Sequence, residues 1–147
     1  MIQRVQTVYL FISALLVGLL FLLPFAELVK DGAVYLFNYK GIILNGILKE
    51  NGFSISILIG IIVALHGVSI FSYKNRIRQM RLIVFAVLLM LGLVGLFFYF
   101  TYYTFSGAQI SFKIAALFPT VAIILDYLAI RAIGKDEALI RSIDRIR

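Results

Sequence analysis

Two ionisable side chains lie inside otherwise apolar stretches of this sequence and are its first candidates for chemistry. His66 is the single histidine of the chain, and Asp126 interrupts the apolar run from Ile114 to Ile130. An imidazole beside a carboxylate can accept, share or release a proton, which is the chemistry of proton relays in membrane transporters. The alternative interpretation is structural, with each side chain satisfied by local hydrogen bonds or by water near the membrane surface.

The sequence lacks the residues that several other kinds of chemistry require. The chain has no cysteine, which excludes disulfides, thiolate metal sites and a cysteine nucleophile. A single histidine argues against a histidine-rich metal cluster, and the motifs of phosphate-binding loops, zinc peptidases and serine hydrolases are missing. We therefore expect no enzyme activity, no cofactor and no metal ion, and we assign no catalytic residue.

The composition indicates a membrane protein. Hydrophobic residues make up 63% of the 147 residues and charged residues 14%, whereas soluble domains hold roughly 45–50% and 25%. A soluble chain of this length exposes about a third of its unfolded-state surface, and here that surface would be largely apolar. The net charge of +7 is explained better by membrane topology than by nucleic-acid binding, so we expect no nucleic-acid partner.

Four apolar segments are long enough to cross a bilayer, whose hydrocarbon core of ~30 Å needs about 20 helical residues. We predict an all-α membrane protein of one domain, with a short amphipathic C-terminal helix in the cytoplasm. The predicted spans are residues 5–26, 52–73, 82–105 and 113–132, with an outer loop 27–51 and a tail 133–147. The first span could instead be a cleavable signal peptide, but its apolar run exceeds the usual core of about 7–15 residues.

Lysines and arginines predict the orientation, because short cytoplasmic connections collect them. Ten of the 14 basic residues lie at the N-terminus, between the second and third spans, or at the end of the fourth span and beyond it. Both termini are therefore predicted to be cytoplasmic. In this orientation His66 and Asp126 both lie in the inner half of the membrane, at depths similar enough for a hydrogen-bonded pair.

Seven basic residues near the inner surface are candidate contacts for anionic lipids or for a partner protein. Four lie in the stretch KNRIRQMR between the second and third spans, and three lie in the tail. Topology alone explains the first group, and an anionic-lipid headgroup site is the functional alternative. The seven are Lys74, Arg76, Arg78, Arg81, Arg141, Arg145 and Arg147.

The opposite side of the membrane is rich in aromatic residues. The stretch GLFFYFTYYTF, residues 95–105, is typical of an aromatic belt at the outer interface, with a ligand-stacking platform as the alternative. The outer loop contains AVYLFNYKGI, which is too apolar for a flexible linker. It either forms a short hairpin that turns near Asn38 to Gly41 or lies on the membrane surface, and the sequence leaves both open.

The tail KDEALIRSIDRIR is predicted to form an amphipathic helix that Gly134 separates from the fourth span. One apolar stripe at helical spacing contains Leu139, Ile140, Ile143 and Ile146. Three surfaces compete for this stripe: the inner leaflet, the protein's own basic loop between Lys74 and Arg81, and a cytoplasmic partner.

Both ends of the chain carry a family resemblance. The opening MIQRVQTVYL, residues 1–10, and the close LAIRAIGKDEALIRSIDRIR, residues 128–147, are similar to those of small bacterial four-helix membrane proteins catalogued as domain of unknown function 4293. The resemblance implies a location in the bacterial cytoplasmic (inner) membrane. It implies no activity and carries over no functional residue.

Two functional interpretations follow. The first is a non-enzymatic structural or accessory membrane protein that acts through helix packing and its cytoplasmic tail, with membrane lipids, a second copy of the chain or another protein as partners. The alternative is a small oligomeric transporter or ion-conducting protein that uses Asp126 and His66. The alternative requires an oligomer, because four short helices rarely enclose a pathway alone.

Overall fold

The structure is a computed structural model that describes the backbone of residues 3–144 and the side chains of residues 5–140. The long helices in this part are α1 (Gln3–Leu19), α2 (Phe53–Phe71), α3 (Arg76–Phe98) and α4 (Phe118–Asp144). The strands are β1 (Ala26–Lys30), β2 (Ala33–Asn38), β3 (Gly41–Leu44), β4 (Ile47–Asn51) and β5 (Gln109–Phe112). A π-helical segment, Tyr99–Thr104, extends α3, and a 3-10 turn, Ile114–Leu117, precedes α4.

The prediction of an all-α protein is wrong, because the strands form one antiparallel sheet in the order β4-β3-β2-β1-β5. Of the two alternatives left open for the outer loop, the hairpin is the one present, with Asn38 paired to Gly41 across its turn. The connection between α3 and α4 adds the fifth strand, in which Ile110 lies opposite Leu28 of β1. Leu28, Phe37 and Ile42 of the loop are buried in the main core, whereas Val34, Leu36, Ile47 and Leu48 stay exposed.

Tight turns with left-handed backbone explain why residues 26–51 form a meander of short strands. Asp31 and Gly32 have φ of 52° and 75°, and Asn45 and Gly46 have φ of 48° and 82°. Positive φ at both central residues is typical of type I′ turns, whose twist matches that of paired antiparallel strands. Each dipeptide therefore reverses the chain within two residues.

The sheet covers one end of the helix bundle. The main core joins Leu20 after α1, Ile59 of α2 and Phe97 of α3 to Phe25 and Phe37 of the sheet region. The ring of Phe97 stacks on that of Phe25 with centroids 4.4 Å apart.

The predicted aromatic belt is divided by this packing. Phe97 and Phe100 are buried against the sheet, whereas Tyr99, Tyr102 and Tyr103 are exposed on the outside of the π-helical segment. The exposed tyrosines are the part of the stretch that retains the geometry of an interfacial belt.

Each helix buries one stripe of residues at alternating spacings of four and three, the pattern of left-handed helix packing. Helices α1 and α3 each contact both α2 and α4, so the four form a closed ring. The stripes are Gln6, Leu10, Ser13, Val17 and Leu20 along and just after α1; Ile55, Ile59, Ile62, His66 and Ser69 on α2; Gln79, Ile83, Ala86, Met90, Leu93 and Phe97 on α3; and Ala122, Asp126, Ala129, Ile133 and Asp136 on α4.

The predicted separate helix in the tail is also wrong, because α4 continues without a break from Phe118 to Asp144. A glycine inside a helix costs about 1 kcal/mol relative to alanine, which is too little to end a helix that is favoured on both sides of Gly134. Asp136 extends the buried stripe of α4 beyond this glycine. The side chain of Ile143 and all of Ile146 lie outside the described residues.

Three helical segments of the described chain are long and apolar enough to cross a membrane: Phe53–Phe71, Arg76–Thr104 and Ile114–Ile140. The apolar part of α1, Val5–Leu19, is shorter, and the chain leaves it to enter β1 at Ala26. Large apolar side chains such as Phe11, Leu88 and Ile124 point away from the bundle and are exposed. The outer surface of the helices is therefore as apolar as their interior.

Candidate functional site

His66 and Asp126 meet in the interior of the helix bundle. The Nε2 atom of His66 lies 3.0 Å from Oδ2 and 3.1 Å from Oδ1 of Asp126. Their side chains are only 1% and 0% exposed. Both residues belong to the buried stripes of their helices, which is why α2 and α4 bring them together. The functional use of this pair stays a prediction.

Ser13 of α1 is the third member of this site. Its Oγ lies 3.0 Å from the same Nε2 atom of His66 and 3.4 Å from the carbonyl oxygen of Ala122. The site therefore links three helices through one imidazole nitrogen. Sequence reasoning missed Ser13, although its spacing of seven residues from Gln6 was a signal that both lie on one helix face.

The other ring nitrogen of His66 determines where the protons are. Nδ1 lies 2.8 Å from the carbonyl oxygen of Ile62, and because a carbonyl only accepts, Nδ1 must carry a proton. The contact between Nε2 and Asp126 then needs one more proton, on either the imidazole or the carboxyl group. The pair is net neutral in both arrangements, which suits a buried environment.

This arrangement differs from a Ser-His-Asp catalytic triad despite having the same residue types. In a triad the histidine contacts the serine through one ring nitrogen and the carboxylate through the other, so that it can take the serine proton while the carboxylate orients it. Here Ser13 and Asp126 share Nε2, and Nδ1 is occupied by a backbone carbonyl. The geometry joins three helices at one imidazole nitrogen and does not provide an activated nucleophile.

Comparison with known proteins assigns the chain to a family. The family described as domain of unknown function 4293 matches residues 2–146. The chain belongs to this family. The family identification made from the sequence is thus confirmed, and the bacterial membrane location that it implied stays a prediction. No curated protein and no solved structure matches the chain.

A second buried polar contact of this member of the 4293 family lies nearer the end of the bundle opposite the sheet. The Nε2 atom of Gln6 in α1 donates a hydrogen bond to Oδ2 of Asp136 in α4. A separate apolar cluster, formed by Leu10, Ile83, Ala129 and Ile133, occupies stripe positions between this contact and the His66 site. Sequence reasoning placed Asp136 in a separate tail helix, which hid its pairing with α1.

The four basic residues of the stretch KNRIRQMR, in the turn after α2 and the first turns of α3, have different surroundings in this family member. The Nη2 atom of Arg78 donates to Oγ of Ser72 at 3.2 Å. Lys74 and Arg76 line a cavity of about 480 Å³, whereas Arg81 lies outside it and is exposed. The side chain of Arg141 and all of Arg145 and Arg147 lie outside the described residues, so their predicted lipid or partner contacts stay predictions.

The described residues contain no group of three or more histidine, aspartate or glutamate side chains that could hold a metal ion. The His66 site brings together one imidazole, one carboxylate and one hydroxyl. The imidazole and the carboxylate are the stronger metal ligands of the three, and they contact each other.

Proposed function

We propose that this chain is a non-enzymatic, multi-pass protein of a bacterial cytoplasmic membrane that supports a larger assembly through helix packing and the end of α4. The observation that carries the proposal is the closure of the His66 site. Its contacts join α1, α2 and α4 of one chain, and its side chains are at most 1% exposed. A site that acts on a substrate needs access to it, whereas a site that joins helices does not.

The length and surface of the helices support the membrane location. Helix α4 has 27 residues, which corresponds to ~40 Å of helix and exceeds the hydrocarbon core of ~30 Å. Its last turns therefore extend beyond the hydrocarbon when its start lies at the opposite interface. The exposed apolar side chains of the bundle would be unfavourable in water and are expected in contact with lipid.

Cysteine labelling tests the proposed orientation, with both termini and the turn between α2 and α3 in the cytoplasm. The chain has no native cysteine, so Lys49→Cys in β4 and Lys74→Cys between α2 and α3 each supply a single exposed thiol. A membrane-impermeant maleimide should label Lys49→Cys in intact spheroplasts and Lys74→Cys only after permeabilisation. The reverse pattern would invert the orientation, and labelling of both in intact spheroplasts would reject it.

The end of α4 is the proposed contact surface for the rest of the assembly. Leu139 is 56% exposed on the part of the helix that extends past the membrane in this proposal. Apolar side chains outside the lipid and the core are typical of helices that bind in a partner's groove.

Photo-cross-linking tests this contact surface. A photoreactive amino acid in place of Leu139 should give a discrete protein adduct in membranes of the native host. The control position is Leu88, which is similarly exposed, at 58%, but lies in the middle of α3. We expect only lipid adducts there. Lipid adducts alone at position 139 would count against an accessory role that acts through α4.

A second candidate function is proton-coupled transport by an oligomer, with His66 and Asp126 as the proton site. The observation that favours it is the contact between Nε2 of His66 and the carboxylate of Asp126, which needs a proton of its own because Nδ1 is committed to Ile62. A proton held between two groups is also a proton that can be exchanged if the bundle opens. We rank this function second because the site is closed within one chain.

A further inference from the structure

A cavity of about 480 Å³ lies at the end of the bundle opposite the sheet. Its lining consists of Tyr73, Lys74 and Asn75 from the turn between α2 and α3, Arg76 and Ile77 from the start of α3, and Glu137 and Ile140 from α4. Two basic side chains and one acidic side chain give its lining a net positive charge. The cavity therefore favours an anionic occupant.

Arg76, which lines this cavity, has a hydrogen-bond donor without an acceptor in the described part of the chain. Its Nη1 atom is buried and has no hydrogen-bond partner among the described residues, although Glu137 lines the same cavity. A buried donor on a charged group is costly when it has no acceptor. Arg78, two residues further, differs because Ser72 accepts from its guanidinium group. The two arginines are equivalent in the sequence and distinct in the structure.

We infer that this cavity binds the phosphate of an anionic lipid headgroup, with Arg76 as the main donor and Lys74 as the second. A guanidinium group matches the geometry of phosphate oxygens because it presents its N–H groups in a planar fork. Helix α3 begins at Arg76, so the positive end of its dipole adds to the attraction.

A lipid fits the cavity better than a soluble phosphate compound does. Ile77 and Ile140 form apolar parts of the lining beside the charged groups, and Tyr73 is the kind of residue that lies at a membrane interface. Such a lining suits a headgroup joined to glycerol and acyl chains. The inference rests on the membrane location proposed above and is independent of the accessory role of α4.

Native mass spectrometry of the full chain in mild detergent tests the inference, with phosphatidylglycerol as the anionic probe and phosphatidylcholine as the zwitterionic one. Arg76→Gln should weaken phosphatidylglycerol binding about tenfold, the effect of losing one charge-assisted contact. Arg81→Gln is the matched control, because it removes the same charge from the same helix outside the cavity. It should leave binding unchanged, and phosphatidylcholine should bind weakly to all variants.

Three results would overturn the inference. Equal loss of phosphatidylglycerol in Arg76→Gln and Arg81→Gln would indicate unspecific charge attraction, and equal binding of the two lipids would remove the need for an anion. Displacement by millimolar inorganic phosphate would assign the cavity to a soluble phosphate compound.

Circular dichroism checks that the variants fold. If Arg76→Gln does not fold, Lys74→Gln, at an exposed position, replaces it and should weaken phosphatidylglycerol binding about threefold. Photo-cross-linking at position 139 tests the accessory role separately, so the two proposals can fail independently.

Discussion

Replacing Asp126 with alanine is expected to lower the free energy of unfolding by about 3 kcal/mol, the low end of the cost of breaking a buried charged pair. The substitution leaves His66 with an unmatched Nε2 in the bundle interior, where Ser13 is the remaining contact. Ordinary hydrogen bonds between membrane helices average only ~0.6 kcal/mol. The larger value is expected here because the carboxylate contacts an imidazole that joins three helices.

A double-mutant cycle measures this interaction directly. Denaturant titration in detergent micelles, followed by circular dichroism, gives the free energy of unfolding for His66→Ala, Asp126→Ala and the double variant. The double variant should cost less than the sum of the two single variants by about 1–3 kcal/mol. Tyr127→Ala is the control, since this neighbour of Asp126 is exposed on α4 and should change stability by less than about 0.5 kcal/mol. Additive single effects would mean that the pair does not hold the helices together.

The conservative variant Asp126→Asn separates the helix-joining role from proton transport. Asparagine keeps the shape of aspartate but cannot exchange a proton with His66. A protein in which the pair only joins helices should give no proton flux in liposomes before or after the substitution. Proton flux in the unmodified protein that disappears in Asp126→Asn would instead support the transport candidate.

Replacing Gly41 with alanine is expected to destabilise the fold by about 4 kcal/mol, because it combines a strained backbone with a steric clash. Gly41 has φ of 120°, a value that residues with a Cβ rarely adopt, and an added Cβ would lie 2.0 Å from the carbonyl oxygen of Glu50. The backbone is tight at this point because the N–H group of Gly52 donates to the carbonyl of Lys40 at 2.7 Å. This hydrogen bond joins the start of β3 to the start of α2.

Gly92→Ala is the matched control for Gly41→Ala. Gly92 lies in α3 with no atom near an added Cβ, so alanine should leave stability unchanged or raise it by up to about 1 kcal/mol through helix propensity. Both variants are compared by the same unfolding titration. A Gly41→Ala variant as stable as the unmodified protein would show that Gly41 and the carbonyl group of Glu50 do not approach each other as closely as described.

Only part of the β-sheet could be predicted from the sequence. The meander of β1 to β4 has a local sequence signal, whereas β5 has none. Asp31-Gly32 and Asn45-Gly46 are dipeptides typical of two-residue hairpin turns. These turns are a local signal for the meander, and hydropathy alone does not detect them. Strand β5 had none, because Gln109–Phe112 is a short segment that pairs with β1, far away in the chain. Such pairing depends on where the ends of α1 and α3 lie.

The buried faces of the helices could not be identified from hydropathy. In a soluble protein the polar residues mark the outer face of a helix, whereas here the outer face is as apolar as the core and hydropathy has little periodicity. Polar residues instead mark the inside, as Gln6 and Ser13 on α1 and His66 and Ser69 on α2 show. A search for polar residues at alternating spacings of four and three would have revealed the stripes of these helices.

The sequence alone was enough to identify the apolar segments and the similar depths of His66 and Asp126, because segment composition and the rise of a helix are local properties. It was also enough to identify the family, whose resemblance lies in the two terminal stretches. Only the tertiary structure decided that β5 joins the sheet of the outer loop, that α4 continues through Gly134, that Ser13 joins His66, and that Arg76 and Arg78 differ. Each of these depends on which surface lies opposite a residue. That surface is supplied by parts of the chain that are distant in sequence, and no local pattern specifies it.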